Sequence, residues 1–426
     1  MRKILKNILT EMYERDLPEL IERDIKVNID TSNNILAIIG PRRSGKTYFM
    51  FQIMKQLLDK YSRDDFLFID FEDYRLIPIK NFDIDELLRS FYELFYKEPK
   101  FLFFDEIQNL PHFSRILRTL HNSGKYRIII SGSSSKLLSN EIATELRGRY
   151  KSILMLPFSF KEVLKFHNVE ITPLTEFSIK IGEVYNLFDE YIQFGGFPEI
   201  VKTDDKKEKI SILENYYSTM FYNDILERYN VKLKYLVEIM MKYMLSSYSS
   251  IFSVTSFAKK LKTDGYGISK RTIANYLYYL KEIFFTILVD KFSFSPAKRN
   301  LNPKKVYLID NGFIALADNF SENRGLVLEN LVATHLLRQN KQFYYYKNSY
   351  ECDFVVKAGL KINSAIQVSY SIDDEKTRRR EINALLKTMA QFNLRDGKIL
   401  TYETEDSIKM GERNISIIPV WKYLIE

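Results

Sequence analysis

Short runs rich in apolar residues punctuate the first third of the chain: Ile35 to Ile39, Phe66 to Phe71, Phe101 to Phe104, Tyr126 to Ile130 and Tyr150 to Leu156. Stretches with helical apolar spacing separate them, beginning with Tyr48 to Leu58. Strands that are apolar throughout, instead of alternating, are covered on both faces, and their alternation with helices predicts a parallel sheet between helical layers. From about Ser159 to Asn230 the spacing is mostly helical. Gly195-Gly196-Phe197-Pro198 breaks it, as a tight corner or as a hinge. The pattern changes again at Leu233. A helix from Tyr235 to Ser247 leads to a second at Val254 to Leu261, a turn with Gly265 and Gly267, and a third opened by Ser269, a natural N-cap. Ile273, Leu277 and Leu280 share one face of that third helix. Residues 283–307 can supply two further strands. Another helix begins near Gly325, followed by a hairpin-like pair (Phe343 to Tyr346, Glu351 to Lys357) and a strand at Ala365 to Ser369.

At 426 residues the chain is long enough for two to four domains, and an apolar content of 46% supplies real cores. Its 63 basic and 55 acidic residues leave a net charge of +8, a mild bias that permits nucleic-acid contact, although most such charge is only a solvated surface. Cys352 is the single cysteine, which excludes an internal disulfide and zinc-finger spacing. Lys6, Glu11 and Glu14 interrupt the apolar start before a signal-peptide core forms, and no run approaches the length of a membrane span. The expectation is a cytoplasmic protein without membrane contact.

The chemistry concentrates at the ends of the predicted strands. Gly40-Pro41-Arg42-Arg43-Ser44-Gly45-Lys46-Thr47 has the G-x-x-x-x-G-K-[ST] spacing between a strand and a helix. Its backbone N–H groups can cradle phosphate oxygens, Lys46 can neutralise β/γ-phosphate charge, and the Thr47 hydroxyl can ligate Mg²⁺. Phe101 to Phe104 ends in Asp105-Glu106, two carboxylates that a buried strand does not carry without a use. Asp105 is expected to hold Mg²⁺ and Glu106 to polarise the water attacking a γ-phosphate. Ser131, first after Ile130, is a candidate γ-phosphate sensor or a helix cap. Arg147 and Arg149, flanking Gly148, are a candidate arginine finger reaching a neighbouring subunit, or surface arginines beside a turn.

These motifs together resemble the core of AAA-type ATPases. More narrowly, with Pro157-Phe158-Ser159-Phe160-Lys161-Glu162 and Phe194-Gly195-Gly196-Phe197-Pro198-Glu199, the chain resembles prokaryotic AAA-type ATPases with a nuclease-like C-terminal domain of unknown function. The resemblance covers nearly the whole chain and implies a core strand order of 5-1-4-3-2. The expected fold class is α/β: an AAA-type P-loop parallel-sheet core (1–158), a helical lid (159–231), a winged-helix domain (232–318) and a PD-(D/E)XK nuclease-like α/β domain (319–426).

In the winged helix, Lys270, Arg271 and Asn275 are expected to face a DNA groove and Lys298, Arg299, Lys304 and Lys305 to meet phosphates, unless the module binds protein. In active nucleases of the family that the last domain resembles, a helix Glu, a strand Asp and a Glu-x-Lys pair gather around Mg²⁺. This chain keeps Glu329 and Asp353 but has Gln367-Val368-Ser369 at the third position, so nuclease activity is not expected. The basic run Arg378-Arg379-Arg380 is a weak binding signal or an exposed helix face. The expectation is an ATP- and Mg²⁺-dependent ATPase moving a winged-helix and nuclease-like module on DNA or RNA. The alternative is a nucleotide-gated switch or protein scaffold with slow hydrolysis. Self-assembly is expected if the arginine finger acts in trans.

Overall fold

The computed structural model describes all residues except 28, 30–32, 78–81, 139–145, 147 and 318–323. It divides into two compact units, Met1–Leu156 and Pro157–Glu426.

The first unit is built on a five-stranded, wholly parallel sheet of β1 (Ile35–Ile39), β2 (Phe66–Asp70), β3 (Phe101–Asp105), β4 (Arg127–Gly132) and β5 (Tyr150–Leu154), in the order β2-β3-β4-β1-β5. This is the 5-1-4-3-2 order that the resemblance implies. Every residue of β1 and β3 is buried, as expected for central strands covered on both faces. One face packs Leu36, Ile38, Phe101, Phe103 and Ile129 against Phe49, Met50 and Ile53 of the helix Lys46–Leu57. Register then decides what the sheet presents. Asp70 pairs with Asp105, Ile38 with Ser131 and Ile39 with Gly132, so the carboxyl ends of four strands deliver their polar residues to one edge.

The second unit opens with a capping box: Ser159 N donates to Glu162 Oε2 at 2.8 Å and Glu162 N to Ser159 Oγ at 3.1 Å, starting the helix Phe160–Phe166. The helices Lys180–Phe194, Pro198–Lys202 and Lys206–Thr219 follow, the last running into a π-helical stretch, Met220–Glu227. Gly195-Gly196 forms a packed corner. Gly195 has φ 75°, and a Cβ there would lie 1.6 Å from Asp310 Oδ1. Gly196 N donates to Asp310 Oδ2 at 2.9 Å, and Phe158 N donates to Gly196 O at 2.7 Å. Burial pushes the Asp310 carboxyl up to about 6.

A helix Lys234–Ser246 and strand β6 (Ser250–Phe252) precede two helices, Val254–Thr263 and Lys270–Glu282, and two strands, β7 (Thr286–Asp290) and β8 (Lys304–Leu308). The sheet is antiparallel in the order β6-β8-β7. Leu308 lies beyond the last β6 pairing, and Asn330 takes the place of the missing strand: its side chain accepts from Leu308 N at 2.8 Å and donates to Leu308 O at 3.0 Å.

Asn330 belongs to the helix Arg324–Arg338, buried continuously from Val327 to Leu336. Six strands follow: β9 (Gln342–Lys347), β10 (Glu351–Ala358), β11 (Lys361–Val368), β12 (Asp396–Thr401), β13 (Asp406–Met410) and β14 (Arg413–Pro419). They form one sheet, β13-β14-β12-β11-β10-β9, antiparallel from β9 to β11, parallel for the pairs β11–β12 and β12–β14, and antiparallel again for β14–β13. The helix Glu375–Phe392 packs Ile382, Leu385 and Met389 onto it. Among the described residues no helix is long and apolar enough to cross a membrane.

Gly195→Ala is expected to destabilise the second unit by about 3 kcal/mol, because the new methyl meets a buried carboxylate in a backbone region closed to L-residues. A thermal midpoint equal to wild type would show that the corner is not pinned.

Candidate active site

The phosphate-binding loop is the turn between β1 and the helix Lys46–Leu57. Two of its glycines have separate jobs. Gly45 sits at φ 94° and lets the chain reverse into the helix. A Cβ on Gly40 would stand 1.9 Å from Met155 O, so only glycine admits the approach of the adjacent backbone. Ser44 is fully buried, and its Oγ has no hydrogen-bond partner among the described residues. A buried polar atom left this way, beside a backbone that only glycine permits, fits a loop shaped to receive polar oxygens.

Lys46 is 4% exposed. Its ammonium donates to Pro41 O at 3.1 Å and faces Glu106 Oε1 at 3.3 Å. Glu106 stands immediately after β3 at φ 47°, ψ 49°, a left-handed conformation that non-glycine residues seldom adopt. Three contacts hold it: Lys46, the Gln108 amide (Nε2 to Oε2, 2.5 Å) and the backbone N–H of Ser133 (3.1 Å). Burial alone would raise its pKa, but Lys46, Gln108 and Arg42 together draw the carboxyl down to about 2. Glu106 is therefore ionised throughout the neutral range.

Asp105, one residue earlier, is 2% exposed. Its Oδ2 accepts from Thr47 Oγ1 at 2.6 Å and its Oδ1 from the Ser131 hydroxyl. Ser131 also accepts from Glu106 N at 3.1 Å. It is part of β4 and braces both carboxylate residues; it caps no helix. Burial and the neighbouring Glu106 charge raise the Asp105 pKa. Thr47 Oγ1 and Asp105 Oδ2 are two hard oxygens side by side, the donor type that Mg²⁺ favours. Lys46, Thr47, Asp105, Glu106 and Ser131 thus converge on one pocket with the loop from Gly40 to Gly45. Arg42 stands at its margin, bonded through its two terminal guanidinium nitrogens to Glu72 at 3.0 and 2.7 Å, and Arg43 is exposed at φ 64°.

Arg149 is not in this pocket. Its carbonyl accepts from Ile35 N at the opposite end of β1, and its guanidinium bonds Asn122. Arg147 lies outside the described residues.

Four residues of the site carry no motif. Arg23, 6% exposed, donates to Ser44 O at 2.8 Å and to Leu156 O at 2.7 Å, tying the loop to the segment that follows β5. Gln108 and Ser133 hold Glu106. Asp70 is brought beside Asp105 by the β2–β3 register, and burial, with Asp105 as a further cause, pushes its carboxyl up to about 6 although Glu72 N donates to it.

In the second unit, Lys270, Arg271 and Asn275 are exposed, and Ser269 caps their helix through Thr272 N at 3.1 Å. The strand lysines differ from expectation. Lys304 pairs with Asp290 at 2.5 Å, Arg299 bonds Tyr344 at 2.8 Å, and Lys305 is buried between Glu329 at 2.7 Å and Asp353 at 3.1 Å. Lys305 therefore cannot meet an external phosphate. Arg378, Arg379 and Arg380 pair with Asp406, Glu375 and Glu381, so that run is a salt-bridged helix face.

An uncharacterized protein of Methanocaldococcus jannaschii, MJ1544, is 38% identical over 416 residues, spanning 95% of this chain and 91% of that one. The chain belongs to the MJ1544 family. An uncharacterized protein of Haemophilus influenzae is 28% identical over 344 residues, covering 80% and 83% of the two chains. A family model described as an AAA domain matches residues 32–164, and two described as domains of unknown function (DUF8612 and DUF4143) match 185–324 and 324–423. The first unit is an AAA-type P-loop domain. Among solved structures, the chain is similar to Aeropyrum pernix ORC1 in complex with DNA (12% identity, 80% of this chain, 93% of that chain, TM-score 0.32). It is also similar to AMPPCP-bound DnaA from Aquifex aeolicus (14%, 59%, 84%, TM-score 0.26).

Asp70→Asn keeps an oxygen for Glu72 N and removes a charge beside Asp105. The folded pKa of Asp70 is raised, so wild type loses stability as pH climbs from about 4 through 6, whereas the variant does not. The variant is expected to match wild type at pH 4 and to exceed it by about 1–2 kcal/mol at pH 8, a figure reduced for solvent access. Denaturation midpoints at the two pH values check this.

Proposed function

We propose that the first unit binds ATP with Mg²⁺ and hydrolyses it. The observation that carries this reading is the convergence of Lys46, Thr47, Asp105, Glu106 and Ser131 on one buried pocket beside a glycine-shaped loop. Loop N–H groups and Lys46 bind the phosphates. Thr47 and Asp105 would hold Mg²⁺, which supplies charge neutralisation at the phosphates. Glu106, ionised at neutral pH, accepts hydrogen bonding from the attacking water, and Ser131 fixes the direction of the Asp105 carboxylate. Lys46 is shared between Glu106 and Pro41 O, so a phosphate that captures the ammonium loosens Glu106 in the same event.

The arrangement of helices and strands from Lys234 to Leu308, with β6 pairing to β8 and β8 to β7, supports a winged-helix reading for that segment. Its second helix of the pair offers Lys270, Arg271 and Asn275 to solvent at and just after the N-terminus, and this face is proposed to contact duplex nucleic acid. Nucleotide turnover would act on that contact. A second reading, a slowly hydrolysing nucleotide-gated switch, is favoured by one observation: both Glu106 carboxylate oxygens already have partners in Lys46, Gln108 and the Ser133 N–H, which hold the side chain in place and slow its turn toward a water.

Lys46→Ala is expected to lose ATP binding, and Glu106→Gln to retain bound ATP with turnover reduced about 100-fold or more. Calorimetry and phosphate release check both, and ordinary steady-state turnover by both variants refutes the assignment. For the nucleic-acid face, Lys270→Ala with Arg271→Ala is expected to weaken duplex DNA binding and to flatten its salt dependence by a slope of about 2. Fluorescence anisotropy across a salt series measures it. An unchanged slope removes this helix from the interface.

A further inference from the structure

The nuclease fold that residues 319–426 resemble implies a divalent metal on Glu329, Asp353 and a Glu-x-Lys pair. The donor set does not fit one. Glu329 Oε1 is taken by Lys305 Nζ at 2.7 Å and by the Tyr307 hydroxyl at 2.5 Å. Asp353 gives Oδ1 to Lys305 Nζ at 3.1 Å and Oδ2 to Val368 N at 3.0 Å. Asp353 lies where the β9–β10 register shifts, between Cys352 and Val355, an irregularity that re-aims side chains. Gln367, at the third position, is turned elsewhere: its Oε1 receives Asp353 N at 3.4 Å and its Nε2 donates to Glu381 at 2.6 Å. Ser369 Oγ donates to Ser371 O at 2.8 Å. Among the described residues no group of three or more His, Cys, Asp or Glu could hold a metal ion.

The absent ammonium of the Glu-x-Lys pair is supplied from another sheet. Lys305 stands on β8, is 3% exposed, and lies within hydrogen-bond reach of both carboxylates at once, with Glu351 Oε1 further off at 3.5 Å. A divalent ion seated between Glu329 and Asp353 would need oxygens at about 2.1 Å and would sit against this ammonium in a water-poor site, where like charges repel strongly.

We propose that Lys305 is the resident cation of this carboxylate site, taking the place of a metal and pinning β8 of the three-stranded sheet to β10 and to the helix Arg324–Arg338. The site then joins two sheets of the second unit and cleaves no phosphodiester. It is a fixed strut: together with the Asn330 bond to Leu308, it leaves the helices that precede β7 no independent swing relative to the six-stranded sheet.

The test uses the full-length, nucleotide-free protein and Mn²⁺, counted by electron paramagnetic resonance. Wild type and Asp353→Asn are expected to bind the same number of Mn²⁺ ions. Lys305→Met is expected to lower the thermal midpoint by about 10 °C, since it strands two buried carboxylates, and to gain one Mn²⁺ that is lost again when Asp353→Asn is added. A wild-type Mn²⁺ site that disappears in Asp353→Asn overturns the proposal, as does Mg²⁺-dependent DNA cleavage with the same sensitivity. An unchanged midpoint in Lys305→Met overturns the strut. Should Lys305→Met fail to fold, the comparison of wild type with Asp353→Asn still decides whether a metal or the lysine holds the site.

Discussion

The ammonium of Lys46 facing the carboxylate of Glu106 at 3.3 Å is the contact on which the first unit turns. Two opposite charges, both nearly excluded from water, come from elements 60 residues apart in sequence and are admissible there only together. The parallel register makes the meeting unavoidable: β1 runs into the loop that carries the lysine, β3 ends in the carboxylates, and β4 lies between them with Ser131 at its end. Removing either partner would leave a buried charge unanswered. Under the proposed function, a bound phosphate would compete with the Glu106 carboxylate for this ammonium.

The second unit solves a similar problem with the opposite result. Lys305, Glu329 and Asp353 are ionisable groups gathered from three elements, and they are satisfied by one another and by Tyr307 and Val368 N. At the loop the pairing leaves an orphaned Ser44 oxygen and a shaped backbone for something to enter. At Lys305, both carboxylates and the ammonium already have partners among the described residues. The two clusters differ less in composition than in what is left unsatisfied, and that difference separates a site from a strut.

The sequence carried the phosphate loop and the Asp105-Glu106 pair plainly, because each is a contiguous string whose flanks predict strand and helix. The parallel sheet was legible for the same reason. Arg23, Gln108 and Asp70 were not: Arg23 bonds residues 21 and 133 positions away, and Asp70 matters only because a register aligns it with Asp105. Lys304-Lys305 shows how a surface reading fails. Two adjacent lysines look like one basic patch, but successive strand residues point to opposite faces, so one reaches Asp290 and the other is drawn into the core. Conversely, in the Arg378 to Arg380 run Arg379 and Arg380 are exposed and Arg378 is half-buried, and the charges are answered by neighbouring carboxylates.

The Arg23 tether extends the candidate site backwards beyond the sheet. Its guanidinium supports the carbonyl of Ser44, inside the phosphate loop, and that of Leu156, while its backbone exchanges bonds with Gln52 on the helix that follows the loop. A fragment trimmed to begin at residue 32, where the AAA family model starts, would keep every recognisable motif and forfeit this clamp. Two carbonyls would lose charge-assisted bonds worth about 1.5–3 kcal/mol each, and the loop would be shaped correctly in sequence yet loosely held in space.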